Sequence, residues 1–544
     1  MARHVHKRIR VIGTLVAMTP IHVGGTGADA DVDMALAIDG SGVVYIPGSG
    51  LAGALRAFMT QRTKDSALLQ HLWGFQETKQ SGKGNASTIF IDDAPVNMSD
   101  AMTIETRDGV GINRRTGSAA VHAKYDRAVL PKGTTLPLHM MLEMTEHDSA
   151  SVDMQVGLLR DLLRALEAGD IRLGAAKTRG LGRVKLQGTC VPEQQILDTP
   201  DGMLAALAGR WEPLTDDPTI ILEARPRLIA NITWQPQGPL MVKAAFEGIA
   251  IDMLPMVSAI DQQKRLAFVV PGSSIKGALR AQAERIIRTL TGKRAPVTAE
   301  KPREFLAQLA QFEFIDAVFG APGKQQGDLS TEDDAATWLP GLGALLADDC
   351  YSIPTMSTTA WQKVVNASDD TTLKTALQTA RLNEAGNAPQ RIQHGYHVAI
   401  DRWTGGVAGD SFFNTLELHA ITWETIRIEL DYTRLQEEDH FPATALFLLV
   451  LRELAEGRIP LGFGANRGMG ALAVQDITFS GADLDHVSFT DVNGATHSLT
   501  PLTHAPLDEG KITALDAGFL AALTTAWQRK NGIASTYKGD RTCV

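Results

Sequence analysis

Two kinds of hydrophobic pattern alternate along the chain, and each of them occurs twice. "RIRVIGTLVAM" (residues 8–18) and "RLIANITWQ" (227–235) place apolar side chains at nearly every second position, as a half-buried strand does. Each is followed, after a loop, by an apolar run ending in Pro-Gly-Ser: "VVYIPGS" (43–49) and "FVVPGS" (268–273). The spacing then changes to that of an amphipathic helix in "LAGALRAFMTQ" (51–61) and "IKGALRAQAERIIRTL" (275–290). Further strands are predicted over "TLPLHMMLEM" (135–144) and "TIRIELDYT" (425–433), and second helices over "SVDMQVGLLRDLLRALEAG" (151–169) and "PATALFLLVLRELAEGR" (442–458). A glycine-rich loop and a strand close each series. Strand, helix, strands, helix, strand is the ferredoxin-like βαββαβ order, so the expected fold is α+β: two tandem ferredoxin-like (RRM-like) domains with insertions.

The duplication is fixed by offsets. Pro47 matches Pro271 at an offset of 224, and "LWGF" (Gly74) matches "VFGA" (Gly320) at 246. "FIDDA" (Asp92, Asp93) matches "LADDC" (Asp348, Asp349) at 256. "GINRRTG" matches "AIDRWTG", and "LGAAKTRGLG" matches "LGFGANRGMG", both at 288. The order is kept and the offset only grows or holds, which chance similarity would not do. The expected boundaries are a first domain over 1–194, a linker with a short helix over 195–222, and a second domain over 223–544. The second copy carries an insertion at about 350–395, expected as a surface protrusion, and a C-terminal helical extension.

Composition changes this picture little. Hydrophobic residues make up 44% and charged residues 21% of the 544 residues, ordinary values for a globular protein. No run of 18 apolar residues occurs, so no membrane partner is expected. Cys190, Cys350 and Cys543 are too scattered for a disulfide framework or a cysteine-rich zinc site, which points to the cytoplasm. A net charge of −10 taken alone argues against a polyanion partner, but 171–186 carry five basic residues and no acid.

Two motifs invite chemistry. Ser49 and Ser273 fall where a helix N-cap is expected, and free N–H groups there favour an anion; Lys276 and the shared Arg56 and Arg280 add positive charge. An ordinary capped helix explains a single copy equally well. The glycine-rich loops allow close backbone approach to a ligand and keep a matched arginine, Arg179 and Arg467, beside Gly180 and Gly468; Lys177 adds a further charge. Such a loop runs from helix to strand, the reverse of a dinucleotide fingerprint. His22, His122, His394 and His397 have no counterpart in the other copy, which leaves a shared histidine-based nuclease unsupported.

"YIPGSGLAGALR", "VVPGSSIKGALR", "GAAKTRGLGRV" and "GFGANRGMGAL" together resemble the RAMP superfamily, and each half resembles the backbone subunit of type III CRISPR effector complexes. A tandem backbone subunit is similar to those of the fused type III-D and III-E systems. The resemblance implies guide (crRNA) and target RNA and other effector subunits as partners. It also implies a divalent cation, Mg²⁺, and a target-cutting aspartate in the loop before "IPGS". Asp33 in "VDMAL" and Asp252 in "IDMLP" fit that place as catalytic and metal-binding residues, with Asp29 and Asp31 close by. Matched segments of the family lead into a hairpin that contacts the RNA duplex, which nominates Arg114, Arg402 and Trp403. Aspartates are also common in turns, and the alternatives are a catalytically silent backbone subunit or a guide-processing endonuclease.

Overall fold

The computed structural model describes residues 4–25, 32–76, 84–96, 104–145, 149–261, 263, 265–296, 302–309, 311–321, 341–380, 392–490, 496–500, 502, 507–508, 511–512 and 517–530. The alternating N-terminal segment forms β1 (Lys7–Ala17), with Ile9, Val11 and Leu15 buried on one face. Helix α1 (Gly48–Thr60) follows, then β2 (Ile89–Ile91) and a hairpin of β3 (Glu105–Ile112) and β4 (Ala119–Val129). The copy continues through β5 (Thr135–Met144), α2 (Ser149–Ala168) and β6 (Arg183–Leu186). In the sheet β2 pairs with β5, β5 with β1, and β1 with β6, all antiparallel.

Residues 195–222, expected as a linker, largely belong to the first copy instead. Strand β7 (Glu193–Ile196) pairs with the start of β1, and after α3 (Pro200–Leu207) the short β8 (Glu212–Pro213) pairs with β7. Leu214 is 3% exposed in the first core. The open edge of β1 supplies the ladder bonds that hold this chain in place, a tertiary feature invisible to local turn propensity.

The second copy repeats the plan with β9 (Arg227–Pro236), β10 (Arg265–Val270), α4 (Gly272–Thr291) and β11 (Leu345–Ala347). Next come β12 (Cys350–Ser357), α5 (Thr358–Val365) and α6 (Asp370–Thr379). A long hairpin of β13 (Ile392–Ile400) and β14 (Val407–Leu418) leads to β15 (Ile426–Asp431), α7 (His440–Ala455), β16 (Leu472–Ala482) and the terminal α8 (Ala517–Lys530). The sheet order is β11, β15, β9, β16, again antiparallel. Both sheets thus place their core strands second, third, first, fourth in chain order. The expected protrusion is corrected over 350–380. Trp361, Val364, Leu373 and Ala376 of α5 and α6 are buried in the second core, because a full apolar face on each helix needs covering. Of the remainder of that insertion, 381–391 lie outside the described residues and 392–395 open strand β13.

Candidate nucleic-acid interface

Asp33 and Asp252 occupy the same place in their copies. The Asp33 N–H donates to Asp126 Oδ1 at 2.6 Å, and the Asp126 N–H donates back to Asp33 Oδ2 at 3.0 Å. In the second copy the Asp252 N–H donates to Asn414 Oδ1 and the Asn414 N–H to Asp252 Oδ2, both at 2.8 Å. Asp126 and Asn414 are 288 positions apart, the offset of the hairpin anchors. The next residue pairs in parallel with the same strand in each copy, Met34 with Arg127 on β4 and Met253 with Thr415 on β14. Each aspartate is therefore pinned to the base of a hairpin, and both side chains are exposed. Asp29 and Asp31 lie outside the described residues.

The glycine-loop arginines come to the same two strands. Arg179 donates from Nη1 to the Tyr125 hydroxyl at 2.8 Å, and the Arg467 guanidinium stands 5.6 Å from the Phe413 ring centre. Tyr125 and Phe413 are again 288 apart and directly precede the clasping residues Asp126 and Asn414. A carboxylate, an aromatic ring and an exposed arginine are thus brought together twice. In the first copy Arg127 joins them, its guanidinium lowered from its ordinary value by burial and by the nearby Arg179. Arg127, Arg179, Tyr125 and Ser273 line a cleft at the junction of the copies.

The Pro-Gly-Ser motifs do other work than expected. The N-cap residues are Pro47 and Pro271, not Ser49 and Ser273, and no side chain caps either helix from its own turn. Instead Asp93 Oδ1 accepts from the Gly48 N–H at 2.6 Å, and Asp349 Oδ1 from the Gly272 N–H at 2.7 Å. The protein supplies its own anion at both helix N-termini. In the second copy this site is the seat of the first copy. Asp349 meets Arg107 at 3.1 Å, Asp348 meets Arg172 at 2.5 Å and Arg183 at 3.5 Å, and the hairpin of the first copy bonds through Glu105 to Ser258 and the Ala259 N–H. Burial alone would lower the Arg107 guanidinium, but the Asp349 and Glu105 carboxylates more than offset this and leave it raised. Gly180, with φ of 94°, lies against this seat: a Cβ there would overlap Asp349 Oδ1. Gly468, its match, has φ of 84° and open space around it. The close approach that these glycines permit is, at Gly180, an approach to the second copy.

Several proposed contacts are consumed in the same way. Lys276 is 5% exposed and donates to the Leu345 carbonyl at 2.6 Å, and burial lowers its ammonium well below the ordinary value. Arg280 is held by Glu284 at 2.8 Å and Asp316 at 2.6 Å, whereas its match Arg56 is exposed. Lys177 is half-buried, and burial lowers it, with Arg434 adding to the effect. The matched hairpin tips have also diverged. Arg114 pairs with Glu284 of the second copy at 2.7 Å, while Arg402 is exposed and Trp403 is 97% exposed. Of the unduplicated histidines, His22 is buried against the Ala128 carbonyl and His397 bonds Glu417 at 3.0 Å.

Sequence reasoning missed Tyr125, Asp126, Phe413 and Asn414. "KYDRAV" and "FFNTLE" share no identical position, and only continuing the 288 offset past the hairpin turn would have aligned them.

No curated protein matches the chain. The family profile of the RAMP superfamily matches residues 14–185 and 261–473, one stretch in each half, and each stretch contains one of the glycine-rich loops and one of the hairpins described above. With most of its length matched in these two regions, the chain belongs to the RAMP superfamily.

Proposed function

We propose that the chain is a tandem guide-RNA-binding backbone subunit of a cytoplasmic type III CRISPR ribonucleoprotein, and that it cuts complementary target RNA at Asp33 and at Asp252. The observation that carries this reading is the twice-built set of carboxylate, aromatic ring and arginine at the base of a hairpin. The strand order second, third, first, fourth, with a helix after the first and third core strands, supports the ferredoxin-like (RRM-like) form of each copy.

Arg179 and Arg467 suit phosphate contacts, and Tyr125 and Phe413 offer rings on which a base can stack. A nucleotide splayed from the stack there brings its 2′-hydroxyl in line with the adjacent phosphate. The 2′-oxygen bonds to phosphorus, its proton passes to water, and the 5′-oxygen leaves with a proton. The products are a 2′,3′-cyclic phosphate and a 5′-hydroxyl.

The donor set fits a hydrated magnesium ion and not a closed protein cage. Among the described residues, Asp33 and Asp252 each keep Oδ1 free of protein hydrogen bonds, and no three His, Cys, Asp or Glu side chains gather. When bound, the ion would offset charge on the scissile phosphate. The reading is tested with a 5′-labelled RNA complementary to the RNA held by the protein, incubated with magnesium. Two cuts are expected; an intact RNA would oppose it.

Trp403 supports RNA contact at the free hairpin tip. Trp403→Ala is expected to leave the thermal midpoint in place and to weaken RNA binding by about 1–3 kcal/mol, read by filter binding. Unchanged affinity would remove Trp403 from the interface. Other effector subunits are supported as neighbours by the first copy's own seat, whose Asp92 side chain is 73% exposed. The positions matching Arg107, Arg172 and Arg183 at the 288 offset are Gly395, Pro460 and Ala471. The second copy therefore lacks the arginines that would fill this seat on another molecule of the same chain, which favours a different subunit there.

A further inference from the structure

The clasp around each aspartate has a feature that its placement alone does not require: it is reciprocal, and its second member differs between copies. In the first copy the partner is Asp126 and in the second Asn414. What the two share is a short side chain whose Oδ1 accepts from the aspartate's own N–H, while the partner's backbone N–H takes Oδ2. Two bonds of this kind fix both the backbone and the carboxylate plane of an exposed residue that would otherwise sample several rotamers. They consume one carboxylate oxygen and leave Oδ1. In the second copy the clasp is braced further, because Asn414 Nδ2 donates to the Ala250 carbonyl at 2.9 Å.

The loop itself does not depend on this side chain. The Ala128 N–H donates to the Met34 carbonyl at 2.9 Å, and the Leu416 N–H to the Met253 carbonyl at 3.1 Å, so main-chain pairing to β4 and β14 holds the segment independently. The clasp partners also sit directly beside the rings of Tyr125 and Phe413, so they register the carboxylate against the stacking surface and the hairpin on which it stands.

We infer that Asp126 and Asn414 are positioning residues for Asp33 and Asp252, acting through the Oδ1 acceptor that aspartate and asparagine have in common. This rests on the cutting reading given above. Neither partner touches the reacting atoms; its Oδ1 holds the aspartate's backbone and its N–H holds Oδ2, so that the remaining Oδ1 is set for the ion. Asparagine and aspartate are interchangeable for the bond from the neighbouring N–H, alanine lacks the acceptor, and glutamine carries it a methylene too far.

The test uses the full-length, RNA-loaded protein, magnesium and a labelled complementary RNA, with the two cuts scored separately. Asn414→Ala is expected to slow the cut that Asp252→Ala abolishes by about ten- to a hundredfold through kcat, with target affinity and the other cut retained. Asn414→Asp is expected to recover most of that loss, and Asp126→Asn to cut faster than Asp126→Ala at the first site. A merely structural role would lower both cuts or the melting midpoint and would not be rescued by the shared acceptor. Full activity in Asn414→Ala, or equal loss in Asn414→Ala and Asn414→Asp, would overturn the inference. Survival of both cuts in Asp252→Ala would instead remove that residue as the cutting group, and the positioning role with it.

Discussion

Asp348→Ala is expected to destabilise the folded chain by about 3–5 kcal/mol, the loss that follows when one partner of a buried charge set is removed. The Asp348 side chain is 8% exposed and meets Arg172 at 2.5 Å, Arg427 at 3.3 Å and Arg183 at 3.5 Å. Alanine leaves these guanidinia facing one another, with Glu429, bonded to Arg427 at 2.7 Å, as the carboxylate that remains beside them. Burial by itself would raise the Asp348 carboxyl, but the Arg172, Arg427 and Arg183 guanidinia hold it below its ordinary value of 3.8. A carboxyl lowered in the native state stabilises the fold at any pH above its unfolded value. That stabilisation is lost as pH falls through the lower native value. The gap between the wild type and Asp348→Ala is therefore widest near neutrality and closes in strong acid. Asp92, the matched residue of the first copy, is 73% exposed and among the described residues its side chain pairs with His139 alone, at 3.6 Å. Asp92→Ala is expected to change stability by no more than about 0.5 kcal/mol. Thermal and denaturant midpoints of the two variants decide the matter; equal midpoints would contradict the asymmetry of the two seats.

Asp33→Ala and Asp252→Ala are expected each to abolish one cut in target RNA and spare the other, and the double variant to abolish both. Loss of the charge stabilisation at one phosphate is worth upwards of about 4 kcal/mol, a thousandfold or more in rate, which takes that cut below detection. The independence of the two follows from their placement on separate hairpins, β3–β4 and β13–β14, in separate cores. RNA affinity and thermal stability should hold, since main-chain pairing at Met34 and Met253 keeps each loop on its strand. Cleavage that survives the double change would return the chain to the silent-backbone alternative. A single change that removes both cuts would mean one site only.

The duplication is legible in the sequence because glycines, prolines and acidic pairs at turns tolerate few replacements, so "PGS", "DD" and the glycine-rich loops keep their order through unequal insertion. Strands of clean alternation, such as Thr135–Met144, fall where the pattern places them. What the pattern could not supply is which surface each motif faces. Ser273 and Ser49 look alike in sequence and both are exposed, yet Ser273 lines the cleft at the junction with the first copy while Ser49 stands on the outer side of its own copy's helix start. The arginines likewise read as free positive charge until their partners are known: Arg280 on Asp316, Arg114 on Glu284 and Arg107 on Asp349 are separated by up to 242 positions. Charge in one dimension does not reveal which cations are already neutralised. Residues 350–380 mislead for a related reason. Their polar composition describes the outer faces of α5 and α6, while the few apolar positions that decide burial, Trp361, Val364 and Leu373, are outnumbered. Nor do the clasp residues announce themselves, since asparagine and aspartate are ordinary on a partly exposed strand and only the pair of bonds exchanged with Asp33 or Asp252 distinguishes them.

The central claim, that two RAMP regions in one chain hold a guide, is tested most directly by the RNA content of the protein purified from its native host. Extraction followed by a denaturing gel is predicted to release RNA of uniform length, protected from added nuclease along the stretch that the two copies cover. Protein that carries no RNA, or a smear of unrelated lengths, would contradict guide binding and the cutting reading built on it.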